Sequence, residues 1–256
     1  MKQTGNDPIN LRDISNNCRN CTVHELCLPL GLADDDIDKL NNIVKRSQPL
    51  HRGDFLFRIG DPLQYLYAIH SGSIKTYSAS ADGTEQITGF HLPGELIGLD
   101  AISDSTHPCA ARALETTSVC RIPYNRLSEL SAKLPSLHEQ LIRVMSKEIS
   151  TDQKLMMLLG KKTAEERLAS LLLSISKRLS MRGFSDREFN LSMSRIDIAN
   201  YLGLAVETVS RLFTRFHDEG LINNQRQHIL IEDMDQLCDL AGASCKRLRD
   251  QKKVAE

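Results

Sequence analysis

The order of apolar and polar positions divides the chain into distinct textures. From Pro49 onward, short runs such as "FLFRIG", "YLYAIHSG" and "SIKTYS" alternate apolar and polar residues, the period of a half-buried strand. Gly53, Gly60, Gly72, Gly83 and Gly94 punctuate these runs, and "SADG" supplies hairpin chemistry. The rhythm predicts an antiparallel jelly roll or barrel rather than alternating β and α units. After Pro123 the spacing turns helical. "YNRLSELSAKL" reads as one short helix broken by Pro135, and residues 136–159 run without Gly or Pro until Gly160. Ser136 with Glu139 three residues on predicts a capping box at the start of that long helix.

A helix of that length in a small protein packs against a partner. Read in heptads, Ile142, Met145, Ile149, Asp152, Met156 and Leu159 share one seam, apolar at every place except Asp152. In a parallel homodimer the two Asp152 carboxylates would face each other partly desolvated. Ile149 and Asp152 are therefore the candidate dimer switch.

Two further helical periods occupy "MSRIDIANYLGLAVETVSRLFTRFHDEGLI". The first has Ile196, Ile198, Ala199 and Leu202 as its apolar set, with Ser194 and Asp197 as cap and capping-box partner. Gly203 sits where a helix–turn–helix corner needs a left-handed residue. In the second helix Val206, Val209, Leu212, Phe213 and Phe216 form the buried face. The opposite face presents Glu207, Ser210 and Arg211 on the first turns, where a recognition helix meets base edges. Arg bonds guanine's acceptors, Glu accepts from cytosine's amino group, and Ser is adaptable. Ser192, Arg195, Thr214 and Arg215 are placed to touch phosphates. "LINNQRQHILI" reads as a wing with Arg226 at its tip. The competing reading of Glu207 and Arg211 is an ordinary surface ion pair.

Composition sharpens this picture only in part. Charge is nearly balanced, 32 Lys+Arg against 33 Asp+Glu, so DNA binding must rest on a local surface. No apolar run reaches membrane-spanning length and no cationic-then-apolar leader is visible, which predicts a cytoplasmic protein with no membrane partner. Residues 1–17 are polar and read as disordered. Seven cysteines, an odd number, argue against a disulfide framework. Metal ligation, redox chemistry or burial are left.

"SRIDIANYLGLAVETVSR", preceded by "KKTAEERLASLLL" and the glycine-spaced roll, resembles the cyclic-AMP receptor superfamily of transcription regulators, over about residues 18–240. That resemblance implies an α+β chain: a β jelly-roll sensor like a cyclic-nucleotide-binding domain, a long dimerisation helix and a winged helix–turn–helix. The expected segments are 1–29 (cluster ligands), 30–135 (roll), 136–160 (dimer helix), 161–240 (DNA binding) and 241–256 (tail). Cyclic-nucleotide sensors of the superfamily use a Glu for the ribose and an Arg-Ser or Arg-Thr pair for the phosphate. Here Glu95 is retained, but His107-Pro108-Cys109 stands at the phosphate position. A phosphate pocket without its Arg loses its main anion partner. Glu95 is read as a structural turn residue, and no cyclic nucleotide is expected.

Cys18-x2-Cys21-x5-Cys27, with Cys120 in "ETTSVCRIPY", resembles the oxygen-responsive branch, the fumarate and nitrate reductase regulators of the Fnr/Anr kind. The resemblance implies that these four hold an oxygen-labile [4Fe–4S] cluster, one thiolate per iron. Cys120 is preferred to Cys109 as fourth ligand because its flanking residues match the family. Cys109, Cys238 and Cys245 are read as spectators, and His24 as an exposed loop residue. Four thiolates also suit a structural zinc, giving a zinc-stapled regulator as the alternative. A thiol oxidoreductase is the weaker third class, because no thioredoxin-like βαβ pattern surrounds Cys18 and Cys21. The resemblance further implies a non-enzymatic homodimer on double-stranded promoter DNA, at TTGAT followed by its inverted copy ATCAA. It also implies contact with RNA polymerase through Asp82-Gly83-Thr84 and "RGFSDRE", for which a solvated loop is the competing reading.

Overall fold

The computed structural model describes residues 17–80 and 82–242. The stretch read as disordered, save Asn17, and the tail with Cys245 lie outside the described residues. The cysteine segment is folded from Asn17 onward. It forms single 3-10 turns at Cys18–Asn20 and His24–Leu26, then helix α1 (Asp34–Asn41). The Asn17 side chain caps the first turn at Arg19 N, and Asn41 Oδ1 accepts from Cys18 N at 3.0 Å. Val23 and Leu28 are buried. The cysteine segment is thus seated through its own apolar residues.

Strands β1 (Lys45–Arg46), β2 (Phe55–Phe57), β3 (Tyr65–Ser71), β4 (Ile74–Ala79), β5 (Glu85–His91), β6 (Leu96–Ile97), β7 (Ala110–Ala113) and β8 (Ser118–Pro123) build the expected roll. Two antiparallel sheets have the orders β1-β8-β3-β6 and β2-β7-β4-β5. Strand β3 is covered on both faces. Tyr67 and Ile69 point between the sheets with Phe57, Ile74 and Val119, while Leu66 and Ala68 pack outside with Leu28, Leu40 and Ile122. The cysteine segment therefore supplies the cover that β3 needs on its outer face.

Helix α2 (Tyr124–Ser131) leads to α3 (Pro135–Lys161), 27 residues and about 40 Å long. The predicted capping box is absent. Leu134 is the N-cap with no side-chain bond, Pro135 begins the helix, and the Ser136 hydroxyl lies 3.3 Å from Asp36 Oδ2 on α1. Proline lacks the N–H that a first-turn position cannot use, so it starts this helix instead of only ending the previous one. The helix also runs through Gly160.

Beyond it lie α4 (Ala164–Ser180), β9 (Glu188–Asn190), α5 (Arg195–Leu202), α6 (Val206–Asp218), β10 (Ile222–Gln225), β11 (His228–Ile231) and α7 (Met234–Leu240). The three strands form a sheet of order β10-β11-β9. Ser194 caps α5 with the expected Asp197 capping box, and Gly203 closes it at φ 62°. Val209, Leu212, Phe213 and Phe216 are buried as read, Val206 is half-buried, and Ile196 departs from its set at 67% exposure. This core is continuous with Tyr77, Ile87 and Phe90 of the roll. No described helix is long and apolar enough to cross a membrane.

Candidate functional site

Cys18, Cys21, Cys27 and Cys120 line one small cavity, walled otherwise by apolar side chains and by His24 and His70. Cys18 opens the first 3-10 turn, and Cys21 and Cys27 directly follow the first and the second. The fourth is carried by β8, opposite Arg46 on β1 and Ala68 on β3. His24 is half-buried on this wall and not an exposed loop residue. Gln140, buried on α3, donates Nε2 to the Cys27 carbonyl at 3.3 Å and so ties the segment to the long helix. Burial pushes the Cys18 thiol up to about 11 and the Cys27 thiol up to about 12, with neighbouring cysteines adding to both. Burial also raises Cys120, against the pull of Arg46. Thiols so shifted become thiolates only when a cation takes the proton's place. Among the described residues, no three His, Cys, Asp or Glu converge closely enough to hold a single metal ion.

Cys109 is elsewhere. It is buried between the sheets and its thiol donates to Asp100 Oδ2 at 3.1 Å. Cys238 is buried and disulfide-bonded.

Glu95 does more than shape a turn. Its carboxylate accepts from Leu92 N, from Arg178 Nε and Nη2 at 3.0 and 2.5 Å, and from Arg182 Nη2 at 2.8 Å. Both arginines belong to the segment that starts with α4. Burial alone would raise this carboxyl, but Arg178 and then Arg182 outweigh it and hold Glu95 down at about 2. At the former phosphate position His107 is buried, stacked on Phe57 at 3.7 Å. Further bonds join the same two bodies. Lys75 meets Asp197 at 2.5 Å, and Asn200 bonds Ile87 N and the Glu85 carbonyl. These groups escaped the sequence reading because each pair is more than 80 residues apart. The i,i+4 spacing of Arg178 and Arg182 is the only local signal.

On α6, Glu207, Ser210, Arg211, Thr214 and Arg215 are all exposed on one side. The Ser210 and Thr214 hydroxyls back-bond to Val206 and Ser210 carbonyls. All four residues read as phosphate contacts are already engaged, Thr214 through that back-bond. The Ser192 hydroxyl lies 2.7 Å from that of Ser73 on the roll. Arg195 stacks over the Phe213 ring at 3.0 Å, and Arg215 pairs with Glu165 and Glu219. The seam of α3 is open: Ile142, Met145, Ile149 and Met156 are exposed, with Asp152 among them. Asp82 is exposed and accepts from the Ser80 hydroxyl and Thr84 N within its own turn, and the Ser80 bond leads in holding its carboxyl at about 2.

A helix–turn–helix with a wing, joined to a two-sheet roll by a long helix with an uncovered apolar seam, defines a Crp-like transcription regulator. Residues 47–133 match the model of the cyclic nucleotide-binding domain, and residues 166–240 match the Crp-like helix-turn-helix domain. The chain is 54% identical over 239 residues to the transcriptional activator protein Anr of Pseudomonas protegens, covering 93% of this chain and 98% of that protein. It is 50% identical over 225 residues to the fumarate and nitrate reduction regulatory protein of Escherichia coli, covering 88% and 90%. The structure of FixK2 from Bradyrhizobium japonicum superimposes with a TM-score of 0.73 at 30% identity, over 79% of this chain and 99% of that one. The chain therefore belongs to the Fnr/Anr family of DNA-binding transcription regulators and is not an enzyme.

Proposed function

We propose that this regulator responds to oxygen through a [4Fe–4S] cluster held by Cys18, Cys21, Cys27 and Cys120. The observation that carries the reading is the shared cavity. Four half-buried thiols from two distant parts of the chain ring a space instead of closing on one point. That suits a group in which each thiolate reaches its own iron. It suits a single zinc less, because zinc draws its sulfurs to within about 2.3 Å of one centre. When bound, the cluster supplies an oxygen-labile staple between the turns and β8.

The chain's residues do the rest. Gln140 passes the position of the Cys27 backbone to α3. The seam around Ile149 and Asp152 pairs with a second copy, and each α6 presents Glu207, Ser210 and Arg211 to one half of a TTGAT…ATCAA palindrome. Thr214 offers its hydroxyl to a phosphate, and Ser192, Arg195 and Arg215 reach phosphates after leaving their present partners. Asp82, Gly83 and Thr84 face RNA polymerase on promoter DNA in the cytoplasm. Glu95, taken by Arg178 and Arg182, is closed to a ribose, so no cyclic nucleotide is required.

Protein purified without oxygen should be brown, hold iron and sulfide in equal amounts, and lose palindrome binding together with its colour in air. A colourless zinc protein that binds DNA equally well in air overturns the reading.

A further inference from the structure

Arg46 is a half-buried cation that forms no ion pair. Its Nε is shielded from water and has no hydrogen-bond partner. None of the ion pairs among the described residues includes it. A guanidinium removed from water without an acceptor is costly, so the position implies a partner. Strand pairing says where that partner lies. Arg46 stands directly opposite Cys120 in the β1–β8 ladder, and opposite residues of an antiparallel pair project to the same face. Its charge is felt by Cys18 as well as Cys120.

Arg121 gives the contrast. Its Nε is also buried and unpartnered, but it follows Cys120 in the strand and so points to the other face, over the Tyr65 ring at 5.4 Å.

A [4Fe–4S] core of charge 2+ with four thiolates is a dianion, and the cavity proposed for it is walled otherwise by apolar side chains and the imidazoles of His24 and His70. A dianion there needs a counter-charge. Resting on the cluster reading above, we propose that Arg46 is the cluster's counter-ion and hydrogen-bond donor, its guanidinium donating to the Cys120 thiolate. Such a bond stabilises the thiolate and, through it, the retention and the reduction potential of the cluster. Arg46 is a positioning and tuning residue, not a ligand.

The test uses full-length protein loaded with cluster under nitrogen, in four forms: unaltered, Arg46→Gln, Arg46→Lys and Arg121→Gln. Two quantities are read: the rate at which a chelator strips the iron, followed by visible absorbance, and the midpoint potential of one-electron cluster reduction. Arg46→Gln should lose iron about 10-fold faster, the lower end of what outer partners of metal ligands contribute. Its potential should move negative, because an electron is harder to add once the positive charge has gone. Arg46→Lys keeps the charge without the Nε donor and should fall between. Arg121→Gln should match the unaltered protein. If Arg46→Gln does not fold, the Lys variant still decides, since equality with the unaltered protein in both readouts overturns the role of the Nε donor. Equal changes in Arg46→Gln and Arg121→Gln overturn the assignment as a general charge effect. Iron loss and potential unchanged in Arg46→Gln overturn it while leaving the four thiols in place. An unaltered protein that assembles no cluster overturns the thiol reading and takes this inference with it.

Discussion

The roll has two places where a bound group could act on the long helix, and they differ in whether their charge is complete. At Glu95 the carboxylate is met by two arginines of the chain itself, so neither an anion nor a cation is left wanting. At the thiol cavity four thiols ring a space, and Arg46, opposite Cys120 in the strand ladder, has an Nε with no hydrogen-bond partner. Glu95, which the superfamily resemblance would assign to a ribose, is thus held in an internal clasp. The two places are neighbours. Gly94, at φ +86°, brings the backbone so close to the segment that a Cβ there would lie 2.7 Å from Leu26 Cβ, and Glu95 follows it directly. Arg182 also donates to the Pro93 carbonyl at 2.7 Å. One turn thus touches both the cysteine segment and the DNA-binding helices.

If the difference is real, the two places should fail in different ways. The largest effect belongs to the thiols. Replacing Cys18, Cys21, Cys27 or Cys120 by Ser should abolish iron and sulfide uptake and anaerobic binding to the palindrome, while Cys109→Ser should leave both intact. Iron analysis and a gel-shift assay read the outcome, and a cluster in Cys120→Ser would erase the contrast. The clasp should instead cost stability. Glu95→Ala leaves two largely buried arginines facing each other, and should destabilise the fold by about 3 kcal/mol in urea unfolding at neutral pH. Cluster loading of the folded fraction should not change. Since Glu95 is depressed to about 2, its contribution is present above the unfolded carboxyl value and lost as pH falls towards 2.

The seam of α3 comes next in size. Ile142, Met145, Ile149 and Met156 are exposed in one chain, and Asp152 is the acidic member of their stripe. Asp152→Ala should let the cluster-free protein dimerise and bind DNA in air, as sedimentation would show. A variant that stays monomeric where the loaded unaltered protein is dimeric removes Asp152 from the switch.

What could be read in advance follows sequence distance. The Ser194–Asp197 box, the Gly203 corner and the buried face of α6 need only residues within a turn or two of each other, and they form as read. The start of α3 was misread for an equally local reason: Ser136 is a good cap in isolation, but Pro135 already occupies the first turn and Ser136 reaches across to Asp36. The clasp and the Arg46–Cys120 pairing join residues 74 or more positions apart and leave no periodic trace. Cys120 was found only because its flanks resemble a family. Nothing local separates Arg46 from any other strand arginine.

The smallest effect is a pH dependence that runs against that of Glu95 in the same neighbourhood. Glu148 is half-buried on α3, and burial first, then the carboxylates of Asp152 and Glu95, push it up to about 7, with Asp100 adding and Arg178 opposing. Its folded value lies above the unfolded one, so the fold favours the protonated acid. The contribution is full below about pH 4.3 and is lost as pH rises through 7. Glu95 does the reverse because it has its arginines at 2.5 to 3.0 Å, whereas Glu148 has mainly like charge around it. Glu148→Gln should therefore flatten the stability profile between pH 5 and 8 and raise stability at pH 8 by about 1 kcal/mol, most of the nominal shift being discounted for solvent screening. Thermal unfolding of the cluster-free monomer across that range reads it. A variant whose profile keeps its slope would mean that Glu148 is ionised throughout, and that the clasp's positive charge reaches further along α3 than Glu95 alone.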